Sequence, residues 1–381
     1  MYLSEEHEMI RKTVRDFAER EVKPVAKELD EKAEFSIALT KRMGELGLFG
    51  LRTPVEYGGL DMDTLAYVIA VEELARIDSS QSATLAAHIS LGIGPIMNYG
   101  TDEQKKKYLP MLSTGEATWA FGLTEPDAGS DSRNTKSTAN LEDGYWVING
   151  SKTFITNGSS SINKGATVQV VTGIVNGQKE FSTILVDADT PGFRRMPMHG
   201  KMMWRASDTA QLFFEDCRVP ESNLLGHRGE GSKIMLNTLD SGRLAIGAMG
   251  LGLAQGAFEL AMKYAKSRRQ FGKPIAEFQV NAFKLADMAT KIELARNLLY
   301  KGAWLKSNQK PFAKEAAMAK LYCSEIAREI ADEAVQLHGG YGLMKDYDIE
   351  RFYRDQRILQ IGEGTSEIQR LVISRYIGCY E

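Results

Sequence analysis

With 381 residues, 43% of them hydrophobic, the chain can bury one very large core or two to three ordinary ones. Its formal net charge is -3, and its basic clusters (Lys105–Lys107, Arg194–Arg195, Arg268–Arg269) are short and set among acids, which argues against a nucleic-acid backbone as partner. The scattered Cys217, Cys323 and Cys379 and five dispersed histidines offer neither a disulfide framework nor metal-ligand spacing, so no metal is expected.

The segment Met1–Asp30 is charged throughout, without the apolar core of a signal peptide or a membrane-spanning run. A reducing, cytoplasmic setting with no integral membrane segment is the default expectation. Ser4 followed by Glu5 and Glu6 resembles an N-cap, and Met9, Ile10, Val14, Phe17, Ala18 and Val22 then repeat at helical spacing. Leu51–Met62 holds Pro54 and Gly58–Gly59 and reads as a loop. A further helix is expected from about Asp63, carrying Leu65, Ala66, Ile69, Val71, Leu74 and Ala75.

From about Thr118 to Leu225 short β-branched and aromatic runs alternate with turn signals. Tyr145–Ile148, Asn149–Gly150 and Lys152–Thr156 read as a hairpin. Val168–Val175, Ser182–Val186 and Ala210–Phe214 are further strands of a small antiparallel sheet or barrel. After Gly231 the helical period returns, over about Ser232–Ser267 and again over Glu277–Ser307, with Phe283, Met288, Ile292, Leu298 and Leu299 facing inward. Pro311 suits a first turn, Gly339–Gly340 a helix stop, and a last helix follows Ser366. The expected architecture is an all-α domain (1–117), a middle antiparallel β-domain (118–226) and a C-terminal four-helix bundle (227–381).

Three segments could carry chemistry. Glu363 lies between Gly362 and Gly364, which allow close approach, and before Ser366 and Gln369, which fit a capping box. Ile358, Leu359 and Ile361 could desolvate its carboxylate toward the range of a general base, while a helix N-terminus would pull the other way. Spacing alone leaves open an ordinary exposed turn glutamate. The run Phe121–Asp131 combines Thr124, Pro126 and small residues before Ser130, a turn whose N–H groups could face a heterocycle or phosphate, or a plain turn entering a strand. Gly247, Gly250, Gly252 and Gly256 lack the full dinucleotide fingerprint and sit in a helical context, so they indicate close helix packing.

Taken together and in order, Leu123–Asp131, Lys152–Gly158, Arg268–Pro274, Gln336–Gly342 and Glu363–Gln369 resemble the acyl-CoA dehydrogenase family over essentially the whole chain. The resemblance implies FAD, a homotetramer with part of each flavin site supplied by a neighbour, and an electron-transfer flavoprotein as acceptor. It places the flavin ring against Phe121, Leu123, Thr124, Gly129 and Ser130 and against Phe154, Ile155 and Thr156. The rest of FAD falls to Arg268, Gln270, Phe278 and Gln279, to Gln336, Leu337, His338, Gly339 and Gly340, and to Thr365, Ser366 and Glu367. The acyl-CoA is matched by Ser130, Asp240, Ser241, Gly242, Arg243, Gly362 and Gly364.

By the same resemblance Glu363 removes the α-proton, its own N–H helps hold the enolate oxygen, and the β-hydride passes to flavin N5. Some members carry the base on the bundle helix instead; here that position is Gly242. Gly362 replaces a bulky tyrosine common in straight-chain enzymes, which implies room for branched, cyclic or aromatic acyl groups. His338 and Phe154 depart mildly from the usual residues. An oxidase on the same scaffold, and a non-catalytic flavin-bearing protein, are the competing readings; Glu363 and the lack of basic excess speak against the second.

Overall fold

The computed structural model describes residues 3–380. Ser4 caps α1 (Glu5–Phe17), accepting from the His7 N–H, and the His7 ring accepts from the Ser4 N–H, so histidine closes the capping box where glutamate or glutamine is usual. A π-turn at 18–22 leads into α2 (Lys23–Lys32), followed by α3 (Ile37–Glu45). After the expected loop, Asp63 caps α4 (Thr64–Ala75); α5 (Ser79–Ala87), α6 (Gly94–Tyr99) and α7 (Asp102–Ser113) complete the helical part. Every residue of α4 is buried, including Glu72 and Glu73, whose carboxylates are met by Arg296 at 3.1 Å and Arg15 at 2.7 Å.

The middle of the chain forms one eight-stranded sheet: β1 (Thr118–Gly122), β2 (Thr138–Glu142), β3 (Tyr145–Thr156), β4 (Asn163–Val175), β5 (Gln178–Asp187), β6 (Phe193–Pro197), β7 (Thr209–Pro220) and β8 (Leu224–Leu225). The order is β6-β7-β3-β2-β4-β5-β8, with β1 added along β4. Most pairs are antiparallel, but β1 and β2 each run parallel to β4.

The expected hairpin at Asn149–Gly150 is not formed. Tyr145–Thr156 is one strand, and its register against β7 shifts between Ile148 and Gly150, so the Asn-Gly pair makes a bulge rather than a turn. The real hairpin joins β2 to β3 through Asp143 and Gly144, both at positive φ (50° and 77°) as a tight two-residue turn requires. The β2 strand has only one buried position and therefore carries little apolar signal.

Five helices follow: α8 (Gly231–Ser267), α9 (Gln279–Ser307), α10 (Ala313–His338), α11 (Ile349–Asp355) and α12 (Ser366–Tyr376), with a two-stranded ribbon of β9 (Arg269–Gln270) and β10 (Lys273–Pro274) between α8 and α9. The 37-residue α8 is apolar because it is the central core helix. Its glycines are contact points: a Cβ would lie 2.2 Å from the Glu72 carbonyl at Gly252, 2.1 Å from that of Arg76 at Gly256 and 2.8 Å from that of Cys323 at Gly250. The helix thus touches the backbones of both α4 and α10, fixing one helical part against the other.

Three local expectations need correction. Phe283 is 59% exposed within one chain, on the outer side of α9. Pro311 precedes the N-cap Phe312 instead of entering α10. The N-cap of α12 is Thr365, which accepts from the Ile368 N–H; Gln369 instead donates to the Glu363 and Gly364 carbonyls. The longer amide side chain reaches back past the cap to fasten the loop in front of the helix.

Candidate active site

The Glu363 turn is built by convergence of α8, α10 and α12. Glu363 itself sits at φ 53°, a strained conformation for a residue with a side chain, and Gly364 follows at φ 94°. Two clamps hold this backbone. Gln369 donates to the Gly364 carbonyl at 2.9 Å, and the fully buried Lys320 donates to the same oxygen at 2.7 Å.

Across the turn lies α8. A Cβ at Gly242 would stand 1.8 Å from Glu363 Oε2, so only glycine admits the carboxylate there. That Oε2 is sealed from solvent and has no hydrogen-bond partner among the described residues. Burial pushes the Glu363 carboxyl up to about 7, with Lys320 and Arg243 pulling partly back. The helix N-terminus does not prevail over desolvation. The Glu363 N–H also meets no acceptor among the described residues. A carboxyl poised near neutrality beside an unused N–H can take a proton from carbon while that N–H meets an oxygen.

Asp240, Ser241, Gly242 and Arg243 occupy adjoining positions on α8, with Asp240 ion-paired to Arg243. Gly362 is open: a Cβ there would meet nothing closer than the Ile358 carbonyl at 3.6 Å. Of the apolar neighbours expected to desolvate Glu363, Leu359 is fully buried and Ile358 packs on the core, whereas Ile361 is 48% exposed.

A second cluster forms at the sheet edge. The Thr153 N–H donates to the Thr124 carbonyl at 2.9 Å, joining Phe121–Ser130 to Phe154–Thr156. Beneath this junction Glu125 and Lys152 form a buried ion pair at 2.7 Å. Glu125 also accepts from the Lys136 and Ser137 N–H groups. Burial would raise the Glu125 carboxyl, but Lys152 and these bonds hold it below its ordinary value. On top, Phe154 is 68% exposed at φ 59°, Ser130 is exposed, and a Cβ at Gly129 would meet nothing within 4 Å.

The third cluster lines an open cavity of about 450 Å³ between the end of α8 and the end of α10. Its walls include Arg268, Gln270, Leu337, His338, Gly339, Gly340 and Tyr341, but none of Phe121–Ser130, Phe154–Thr156 or Glu363. Gly339 and Gly340 face open space. His338 serves as packing as much as lining: it is buried, stacks on Tyr264 with ring centroids 4.3 Å apart, and meets the Ala334 carbonyl through Nδ1. Burial lowers its pKa, favouring the neutral ring. Phe278 stands at the start of α9 against Phe271, and Gln279 opens that helix. Gln336 is exposed on the last turn of α10, and Thr365, Ser366 and Glu367 form the first turn of α12.

One planar exposed aromatic, three glycines opening onto space and the Arg268–Gln270 pair suit a large ligand with a flat ring and an anionic tail. Lys320, Glu125 and Lys152 had no assigned role from the sequence. The signal for Lys320 was available: it falls on the same α10 face as Ala316, Ala319 and Cys323, all buried.

Family models match nearly end to end: acyl-CoA dehydrogenase, N-terminal domain over residues 4–116, middle domain over 120–217 and C-terminal domain over 229–378. A short-chain-specific acyl-CoA dehydrogenase of Clostridium acetobutylicum is 45% identical over 98% of each chain. Butyryl-CoA dehydrogenase from Megasphaera elsdenii superposes with a TM-score of 0.96 at 40% identity, covering 99% of each chain. A chain solved in work on the electron transferring flavoprotein of Acidaminococcus fermentans gives 0.97 at 44% identity, also over 99% of each.

Proposed function

The chain belongs to the acyl-CoA dehydrogenase family, an FAD-dependent group of oxidoreductases, and from that premise we propose that Glu363 is the α-proton base for a short or branched acyl-CoA. The observation that carries this reading is the sealed, unpartnered Oε2 of Glu363 with its carboxyl raised to about 7.

FAD, when bound, supplies the acceptor for the hydride leaving the β-carbon. The protein's own residues do the rest. Glu363 Oε2 accepts the α-proton, and dry surroundings keep it basic. The free Glu363 N–H meets the thioester oxygen as negative charge develops there. Lys320 and Gln369 fix the turn, so base and donor keep one relative geometry. Asp240–Arg243 and Ser130 hold the CoA thioester. Phe121–Ser130 and Phe154–Thr156 support the flavin ring, the Phe154 face being the exposed planar surface for it. Arg268, Gln270, Phe278, Gln279 and Gln336–Gly340 take the remainder of FAD, with Thr365–Glu367.

A second copy of the chain completes that remainder. Phe271 at 94%, Leu343 at 74% and Phe283 at 59% exposure are large apolar groups that a neighbouring subunit would cover. An electron-transferring flavoprotein is the acceptor this reading assigns, in line with the likeness at a TM-score of 0.97. The short acyl group is supported by the short-chain-specific and butyryl-CoA relatives, and tolerance of branching by the open Gly362.

Anaerobic mixing of the holoenzyme with butyryl-, isobutyryl- and isovaleryl-CoA tests the reading directly. Rapid loss of flavin absorbance is expected with at least one of them. Unchanged absorbance across a broad acyl-CoA panel would rule it out.

A further inference from the structure

The segment Phe154–Thr156 closes the least regular stretch of β3. Its ladder to β7 shifts register between Lys152 and Ile155, and Phe154 stands at φ 59°. Asn157, directly after the strand, also stands at φ 59°. Left-handed residues with side chains persist only where their surroundings hold them. On the near side the holding contact is the Thr153 N–H to the Thr124 carbonyl. On the far side it is Asn157.

Asn157 is fully buried, and its backbone is bonded on both sides. Its N–H donates to the Asp208 carbonyl at 3.0 Å, and its carbonyl accepts from Asn163 Nδ2 at 2.7 Å. Both partners are anchored in turn. The Asp208 carboxylate accepts from the Ser159 and Ser160 N–H groups, each at 2.8 Å, and Asn163 Oδ1 accepts from Arg195 at 2.6 Å. All of these contacts lie within the middle domain.

The side chain does something different. Asn157 Nδ2 donates to the Thr84 carbonyl at 3.0 Å, crossing from the sheet to α5 of the N-terminal domain. Thr84 lies in the last turns of α5, where a carbonyl can take a second donor beside the His88 N–H. Asparagine suits the position twice over: it tolerates the left-handed backbone, and its short amide offers a donor. The α5 helix packs on α4 and on α8, and α8 carries Gly242 against Glu363 Oε2. One buried amide therefore ties the end of β3 to the helices that frame the Glu363 turn.

We infer that Asn157 is a positioning residue for the reaction, fixing the flavin-bearing end of β3 at a set distance from the Glu363 turn. The inference rests on the reading of Phe154–Thr156 as support for the flavin ring. Without the tie, acyl-CoA keeps its own contacts on α8. What is lost is the alignment of the two reacting halves.

Visible circular dichroism of the bound flavin in the FAD-loaded protein reads this alignment without turnover, and anaerobic bleaching reads its consequence. Asn157→Gly keeps the left-handed backbone and drops the amide. Asn157→Asp keeps shape and backbone but turns an acceptor toward the Thr84 carbonyl. Ser82→Ala is the comparison: it removes a different buried hydrogen bond of α5, from Ser82 Oγ to the Val71 carbonyl at 3.0 Å. Both Asn157 variants should retain FAD and show an altered flavin spectrum. Bleaching by butyryl-CoA should slow about tenfold, with its dissociation constant within about twofold of wild type. Ser82→Ala should lower the denaturant midpoint and keep the wild-type spectrum and rate. Wild-type behaviour of both Asn157 variants, or equal changes in Ser82→Ala, overturns the inference. Failure of both Asn157 variants to fold assigns the residue to folding alone and overturns it as well. Phe154→Ala tests the underlying flavin placement separately. An unchanged spectrum there removes the ring from Phe154–Thr156, and the inference with it. A changed spectrum there, beside wild-type behaviour of both Asn157 variants, strikes the inference alone.

Discussion

Two buried glutamate–lysine neighbourhoods in this protein use the same side chains to opposite ends. At the sheet edge Lys152 meets the Glu125 carboxylate at 2.7 Å, and the carboxyl is held below its ordinary value. At the α8–α10–α12 junction Lys320 is equally buried but donates to a backbone carbonyl, leaving the Glu363 carboxylate unpaired and raised to about 7. A paired buried carboxylate is inert scaffold. One whose neighbouring cation is diverted to the backbone keeps its basicity, and the cost of the lone charge is carried by the surrounding fold.

The sharpest way to break this contrast is Glu363→Gln. Flavin bleaching by substrate should slow by about 10³-fold or more in anaerobic stopped flow, with FAD retained. Its effect on stability has a definite sign. Below the ordinary carboxyl value of 4.5 both folded and unfolded chains hold the proton; between 4.5 and about 7 only the unfolded chain releases it. Wild-type stability attributable to this group therefore falls across that window, and at pH 8 the Gln variant should unfold no more easily than wild type. A large loss of Tm at pH 8 would contradict the unpaired state of Glu363.

Removing one partner of the scaffold pair should show the reverse pattern. Lys152→Met leaves Glu125 buried and unpaired and should cost about 3–5 kcal/mol in denaturant unfolding, partly recovered in the Lys152→Met/Glu125→Gln double variant. The third test addresses the tuning of the Glu363 carboxyl. Bleaching should rise with pH through about 7 as Glu363 ionises. Lys320→Met removes a charge that lowers the Glu363 pKa, so the inflection should move upward and the rate at pH 7 fall roughly tenfold, recovering at higher pH. A uniform loss at every pH would assign Lys320 to folding alone. The smallest effect concerns shape: Gly362→Tyr should lower kcat/KM for isovaleryl-CoA relative to butyryl-CoA by about tenfold.

Much of this arrangement was legible in the sequence, for identifiable reasons. Long helical runs and glycine or proline breaks placed α8, α9 and α10 within a few residues, and motif order pointed to Glu363. The failures came where one signal serves two geometries. Asn149–Gly150 satisfies a bulge as well as a turn, and only the register against β7 distinguishes them. Ser366 and Gln369 fit a capping box, yet Thr365 is one residue nearer the loop and takes that role. Lys320 shares its α10 face with Ala316, Ala319 and Cys323, a small-residue pattern that marks close helix packing but not the Gly364 carbonyl it meets across the fold.

The contact between Gly242 and Glu363 also constrains how this protein can change over generations. A side chain at 242 and the carboxylate at 363 claim the same space, because a Cβ at 242 would lie 1.8 Å from Oε2. On the proposed role of Glu363, moving the base from the loop to the helix therefore cannot proceed by gaining the new glutamate first. The lineage must first shorten residue 363 and pass through an inactive form, or change both positions together. Each single step is selected against while the pair is viable, so two neighbouring positions define a fitness valley between otherwise similar enzymes.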